Sequence, residues 1–154
     1  MIASLYNEQY VNAMLEAAKT ELLELSPNCS VPLYRVPGAW EIPVTAEFVA
    51  RRTAANVIIA LGVVIRGQTG HADLICQASA KELQEVATRH TIPVINEILL
   101  VEDERQAHAR CMGTRLNRGV EAARAAAGMA ELFTKLEEAY PEAAENTRFK
   151  KQHG

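Results

Sequence analysis

No run of apolar residues in this 154-residue chain approaches the roughly 20 needed to span a bilayer. The N-terminus, MIASLYNEQY, has neither the basic start nor the apolar stretch of a signal peptide. Cysteine is scarce: Cys29, Cys76 and Cys111 stand far apart with no CxxC spacing, and three thiols cannot all pair within one chain. A disulfide framework or a zinc site is therefore not expected, and a reducing cytoplasm fits. Positive charge is not in excess either. With 16 Lys and Arg against 19 Asp and Glu, a net charge of -3 gives no electrostatic reason to expect nucleic acid or an anionic membrane as a partner. There is no internal repeat.

What is present is ordinary globular material, 49% apolar and 23% charged, of one-domain length. Val11, Met14, Leu15, Ala18, Leu22 and Leu25 recur at helical spacing over residues 7–25. Asn7 is placed to cap that helix and Ser26-Pro27 to stop it. Residues 31–36 read as a strand, Pro37-Gly38 as a turn, and residues 42–52 as a short helix. Residues 57–65, VIIALGVVI, form an unbroken β-branched apolar run, the mark of a strand buried on both faces in a parallel sheet. Helical spacing returns over 72–89, a second buried strand spans 93–101, and helices follow near 104–111 and over 119–138.

This alternation of strand and helix predicts an α/β fold, a three-layer α/β/α sandwich. Its parallel sheet has four strands, of which the first, squeezed into Met1–Leu5, is very short. Residues 1–139 are expected to form a single domain, and the polar segment 140–154, YPEAAENTRFKKQHG, a flexible tail.

In an open parallel sheet ligands gather beyond the carboxyl ends of the strands. Three segments are expected there: VPGAWEIP, RGQTGHAD, and the INE of the last strand. Gly67 and Gly70 allow a tight turn, and Gln68 and Thr69 precede a helix whose free N–H groups suit an anion such as phosphate. An ordinary helix cap has the same local pattern. His71 can exchange protons near neutral pH or serve as a plain polar residue at a helix start. Trp40, the only tryptophan, either anchors its loop or, with the backbone of Ala39 and Glu41, walls a heterocycle. Arginines in RCMGTRLNRGVE suit phosphate but also suit a solvated helix flank.

Together these segments resemble the lumazine synthase family. VPGAWEIP is similar to its VPGA-aromatic-EIP, LGVVIRGQTGHAD to its LG-x-VIRG-x-T-x-H-x-D, and QAHARCMGTRLNRGVEAA to the stretch ending in N-K-G and a helix. The likeness runs from about Tyr6 to Phe133. It implies a flavodoxin-like sheet and the condensation of 5-amino-6-(D-ribitylamino)uracil with 3,4-dihydroxy-2-butanone 4-phosphate, giving 6,7-dimethyl-8-ribityllumazine, phosphate and water. It implies no metal or organic cofactor. By the same resemblance Tyr6 stacks on the pyrimidine, Ala39, Trp40 and Glu41 hold the ribityl chain, and the backbone of Val64 and Ile65 reads the pyrimidine edge. Gln68 and Thr69 form the phosphate loop, His71 transfers protons, and Arg110 neighbours the phosphate across a subunit boundary.

Three departures from the family pattern stand out. Asn96, followed by Glu97, occupies the position where a neighbour's aromatic residue is usual, after the fourth strand. Thr114 replaces a frequent lysine, with Arg115 and Arg118 nearby. The N-terminus is short compared with shell-forming members, so a pentamer or decamer is expected rather than an icosahedral shell. A second reading, a non-catalytic flavin- or pterin-binding paralogue of the same fold, is motivated by Asn96 and Glu97.

Overall fold

The computed structural model describes residues 1–141. Of the expected tail, residues 142–154 lie outside the described part. The elements are β1 (Ile2–Ser4), α1 (Glu8–Leu25), β2 (Tyr34–Val36), a 3-10 turn (Ala39–Glu41), α2 (Ile42–Arg52), β3 (Ile58–Ile65), α3 (His71–His90), β4 (Val94–Val101), α4 (Glu104–Cys111) and α5 (Arg118–Ala139). All strand pairs are parallel, in the order β2-β1-β3-β4. The expected α/β sandwich is thus observed, including the three-residue first strand.

Alternate residues of the strands serve opposite layers. Ile59, Leu61 and Val63 pack with Tyr10, Val11, Met14 and Leu15 of α1, Ala107 of α4, and Ala122 and Ala126 of α5. Ile2, Ile58 and Ala60 pack with Ile42, Ala46 and Val49 of α2 and Leu83 and Val86 of α3. This period-2 division is why the run over β3 is apolar throughout. On one side the layers meet closely: a Cβ on Gly119 would lie 2.2 Å from the carbonyl oxygen of Met14, so only glycine lets α5 touch α1 there.

Two expectations need correction. The strand predicted over 31–36 pairs only from Tyr34, because β1 offers three partners, Ile2 to Ser4, matched to Tyr34 to Val36, and Pro32 has no N–H to give. Asn7 holds the N-cap position of α1 but makes no capping bond there. Its backbone is left-handed, with φ of 54°, a conformation asparagine tolerates better than most residues. Its side-chain amide instead donates to the carbonyl of Val63, at 2.8 Å.

Among the described residues no helix is long and apolar enough to cross a membrane.

Candidate active site

After β1 the chain leads to β2 on one side, and β3 then returns to β1's other side. The strand order reverses between β1 and β3, and a crevice outside the carboxyl ends at such a point is the favoured ligand position in open α/β sheets. Tyr6 stands there, 73% exposed. Its placement follows from two bonds that continue the β1–β2 seam: Leu5 N–H donates to Val36 O at 2.8 Å and Tyr6 N–H to Pro37 O at 3.1 Å. The Val63 bond from Asn7 ties the same turn to β3.

β3 outruns β1. The ladder between them pairs Ile2 with Ala60 and Ala3 with Leu61, whereas β4 accompanies β3 to Ile65. Ile58 and Arg66 donate to Pro93 and Val101 across the β4 seam, while Val63 accepts from Asn7 on the other side. Backbone polar groups of a strand alternate between its edges, so those of Val64 are turned to β4 and those of Ile65 to the unpaired edge, at the crevice. The structure thus separates two residues that the sequence reading treats together.

The VPGAW turn is braced from within. Gly38 N–H donates to Glu41 Oε2 at 2.9 Å, Thr45 Oγ1 donates to the carbonyl of Glu41 at 2.9 Å, and the buried Ser79 hydroxyl of α3 donates to Ala39 O at 3.3 Å. Ala39 is buried. Glu41's carboxylate is therefore occupied in shaping the turn. Trp40 is 57% exposed, so it is no core anchor. It borders a cavity of about 300 Å³ between α2 and α3, with Val44, Ser79 and Val86.

Beyond β3, residues 67–71 are all exposed, and His71 opens α3 one residue earlier than expected. Nothing lies within 4 Å of a Cβ built on Gly67 or Gly70. The loop is a bare arch before a 20-residue helix, with the α3 N-terminus behind it.

Two predicted residues are not brought to this cluster within the chain. Asn96 lies inside β4, opposite Ala60, rather than after the strand. It is exposed, and its Oδ1 accepts from Ile98 N–H at 3.0 Å. Val101 lies five residue steps further along the strand, roughly 17 Å at strand rise, so the INE segment is not at the carboxyl ends. The strand keeps β-pairing through Asn96 because β3 runs alongside it. Arg110 lies in the last turn of α4. It is exposed, and its charge acts on Glu97, inside β4, rather than on any group of the loop.

Next to Asn96, Glu97 is 6% exposed. It receives Arg118 through two bonds, Nε at 3.0 Å and Nη2 at 3.1 Å, and Arg118 also meets Glu121. Burial holds the Glu97 carboxyl above the usual carboxylate range, and Arg118 draws it part of the way back. Asn7 and the carboxylate partners of Arg66, Asp73 and Glu102, were missed as structural supports of the strand-end cluster. The Arg66–Asp73 spacing inside RGQTGHAD, one side chain on each flank of the loop, was the available signal.

Other cavities lie elsewhere. One of about 530 Å³ sits at the amino ends of the strands, against Met1, Ile2, Val57 and Ile58. Tyr6, Trp40 and residues 67–71 of the strand-end cluster are all exposed in the single chain.

The chain matches the family described as 6,7-dimethyl-8-ribityllumazine synthase over residues 1–134. It is 36% identical over 137 residues to the 6,7-dimethyl-8-ribityllumazine synthase of Xylella fastidiosa (strain M12), covering 88% of this chain and 89% of the relative. To the protein of that name from Xanthomonas oryzae pv. oryzae (strain PXO99A) it is 37% identical over the same shares of both chains. The Xanthomonas euvesicatoria pv. vesicatoria (strain 85-10) protein of that name is 36% identical, again over 137 residues.

Proposed function

Since the chain belongs to the 6,7-dimethyl-8-ribityllumazine synthase family, an enzyme family of riboflavin biosynthesis, we propose that it condenses 5-amino-6-(D-ribitylamino)uracil with 3,4-dihydroxy-2-butanone 4-phosphate. The observation that carries this reading is the convergence of Tyr6, the VPGAW turn, the open edge of Ile65 and the Gly67–Gly70 arch at one end of the sheet. Tyr6 offers an aromatic face to the pyrimidine and Ile65 its backbone to the ring edge. The backbone of Ala39 to Glu41 receives the ribityl hydroxyls, with Trp40 as a wall.

The phosphate rests on Gln68, Thr69 and the first amides of α3. His71, at the same helix start, moves the protons that imine formation, phosphate elimination and ring closure each require. Elimination builds charge on the leaving phosphate, where helix amides stabilise it. Holding two reactants together supplies a large share of the acceleration. His71→Asn is therefore expected to slow turnover, by about 100-fold or less, without abolishing it.

Arg110 and Asn96, remote from this cluster in their own chain, belong in this reading to the site of a neighbouring copy. The exposed stripe Trp40, Val44 and Phe48, at 57%, 68% and 59%, supports assembly into a ring, a pentamer or decamer. Mass spectrometry of the product, with phosphate counted, tests the reaction. One phosphate released per lumazine formed is expected. Phosphate release without lumazine would contradict it, and riboflavin binding without either would favour a non-catalytic paralogue.

A further inference from the structure

Arg66 stands directly before the bare arch of Gly67–Gly70, and its guanidinium is shared between two carboxylates. Nη2 donates to Asp73 Oδ1 at 2.7 Å and Nη1 to Glu102 Oε1 at 2.7 Å. Asp73 lies in the first turn of α3, on the far side of the arch. Glu102 follows β4 directly. It is held in turn, for its N–H donates to Gln106 Oε1 at 3.1 Å while Gln106 N–H donates to Asp103 Oδ1 at 2.7 Å. The backbone of Arg66 is fixed by its bond to Val101 O at 2.8 Å.

These contacts span the loop where packing does not. Residues 67–71 are exposed, with no neighbours to a Cβ at either glycine, so no side-chain wall sets the arch's shape. What joins its two flanks is the Arg66–Asp73 bridge, with Glu102 as a third point. All three side chains are partly exposed, at 37%, 40% and 59%. Exposed ion pairs add little to global stability, so these contacts bear on local shape more than on the fold. An arch that must present several N–H groups to one anion loses affinity when its flanks drift, because the ordering then has to be done at binding.

We propose that Arg66 is a positioning residue, which holds the anion loop in its binding shape by clamping both flanks, and is not itself a ligand of the phosphate. Both terminal nitrogens are committed to carboxylates, and a guanidinium facing two carboxylates presents no net positive charge to an anion. This rests on the anion-loop reading above. The alternative, a direct phosphate ligand, predicts the opposite sign for one pair of substitutions. If Arg66 bound the phosphate, Asp73→Asn and Glu102→Gln would free its guanidinium, remove nearby negative charge and tighten binding. A clamp predicts looser binding from the same changes.

The test titrates the assembled wild-type protein, Asp73→Asn, Glu102→Gln and Arg66→Lys with inorganic phosphate by calorimetry, and measures KM for each substrate. All are near-isosteric or charge-preserving changes at partly exposed positions, and thermal unfolding of each checks the fold. The phosphate Kd is expected to rise by about three- to tenfold in Asp73→Asn and Arg66→Lys, and less in Glu102→Gln. KM for the butanone phosphate should rise in step, while KM for the pyrimidine stays within about twofold. Tighter or unchanged phosphate binding in Asp73→Asn, or equal rises in both KM values, overturns the clamp. Wild-type protein that binds no phosphate and makes no product removes the anion-loop reading, and the clamp with it.

Discussion

Each side chain at the crevice owes its position to a small number of backbone bonds. Tyr6 is carried by two donations to the VPG segment and Asn7 by one bond to Val63, whereas Arg110 is exposed on a helix flank. A guanidinium in that position is free to meet an anion brought to it. Arg110→Ala is accordingly expected to raise KM for the butanone phosphate by about tenfold, as loss of a charge-assisted bond would, and to alter KM for the pyrimidine much less. Steady-state kinetics with one substrate saturating separates the two, and equal losses would count against the role.

At this scale the types of residue were legible and several of their duties were not. His71 and the Gly67–Gly70 loop declare themselves by residue type beside a helix start. Asn7 reads as a cap from sequence, because the left-handed turn that sends its amide to Val63 depends on how far β3 outruns β1. Asn96 falls inside the strand read over 93–101, and its pairing opposite Ala60 bears that reading out against the resemblance, which puts it after the strand.

Among the elements, α5 depends on one small residue. Gly119→Ala would drive a Cβ to 2.2 Å from Met14 O and 2.8 Å from its carbonyl carbon, both backbone atoms that cannot swing aside. The expected cost is about 1–3 kcal/mol, read as a fall in denaturant midpoint. Gly128, exposed on the same helix with open space around its Cβ position, gives the contrast. There alanine should stabilise by about 0.5–1 kcal/mol through helix propensity.

The seam between β4 and α5 carries a pH signature as well. Glu97 has its carboxyl raised by burial, with Arg118 opposing. Arg118 and Glu121 of α5 and Arg110 of α4 are the charges acting on it. A carboxyl whose folded value exceeds its unfolded value of about 4.3 binds more protons when folded. Its contribution to stability is therefore greatest below that value and declines as pH rises through the raised one. Glu97→Gln lacks this titration, so its Tm relative to wild type should improve between pH 4 and pH 7. A constant difference across that range would show that Glu97 does not titrate as described.

Element identities were readable because hydrophobic periodicity and the Pro-Gly turn are local signals, and the helices over 42–52 and 104–111 carry the predicted bounds. The length of β2 was not readable, since it is set by a partner strand of three residues.

For the whole molecule, the exposed aromatic and aliphatic stripe on the 3-10 turn and α2, together with an open crevice, fits a protomer that completes its sites by association. Analytical sedimentation is expected to show five or ten copies, and a particle of about sixty would contradict the proposed assembly. Membership of the family was legible in the VPGAWEIP and RGQTGHAD segments. The proposed sharing of the site between two chains rests on resemblance alone, because a lone sequence does not record which surface meets which.

The central claim is that this strand-end cluster accelerates the condensation. The most direct measurement incubates the purified, assembled protein with both substrates and follows the lumazine chromophore against the spontaneous background, with His71→Asn alongside. The account predicts a rate well above background for the wild type and a reduced but measurable one for the variant. A wild-type rate equal to background would contradict it.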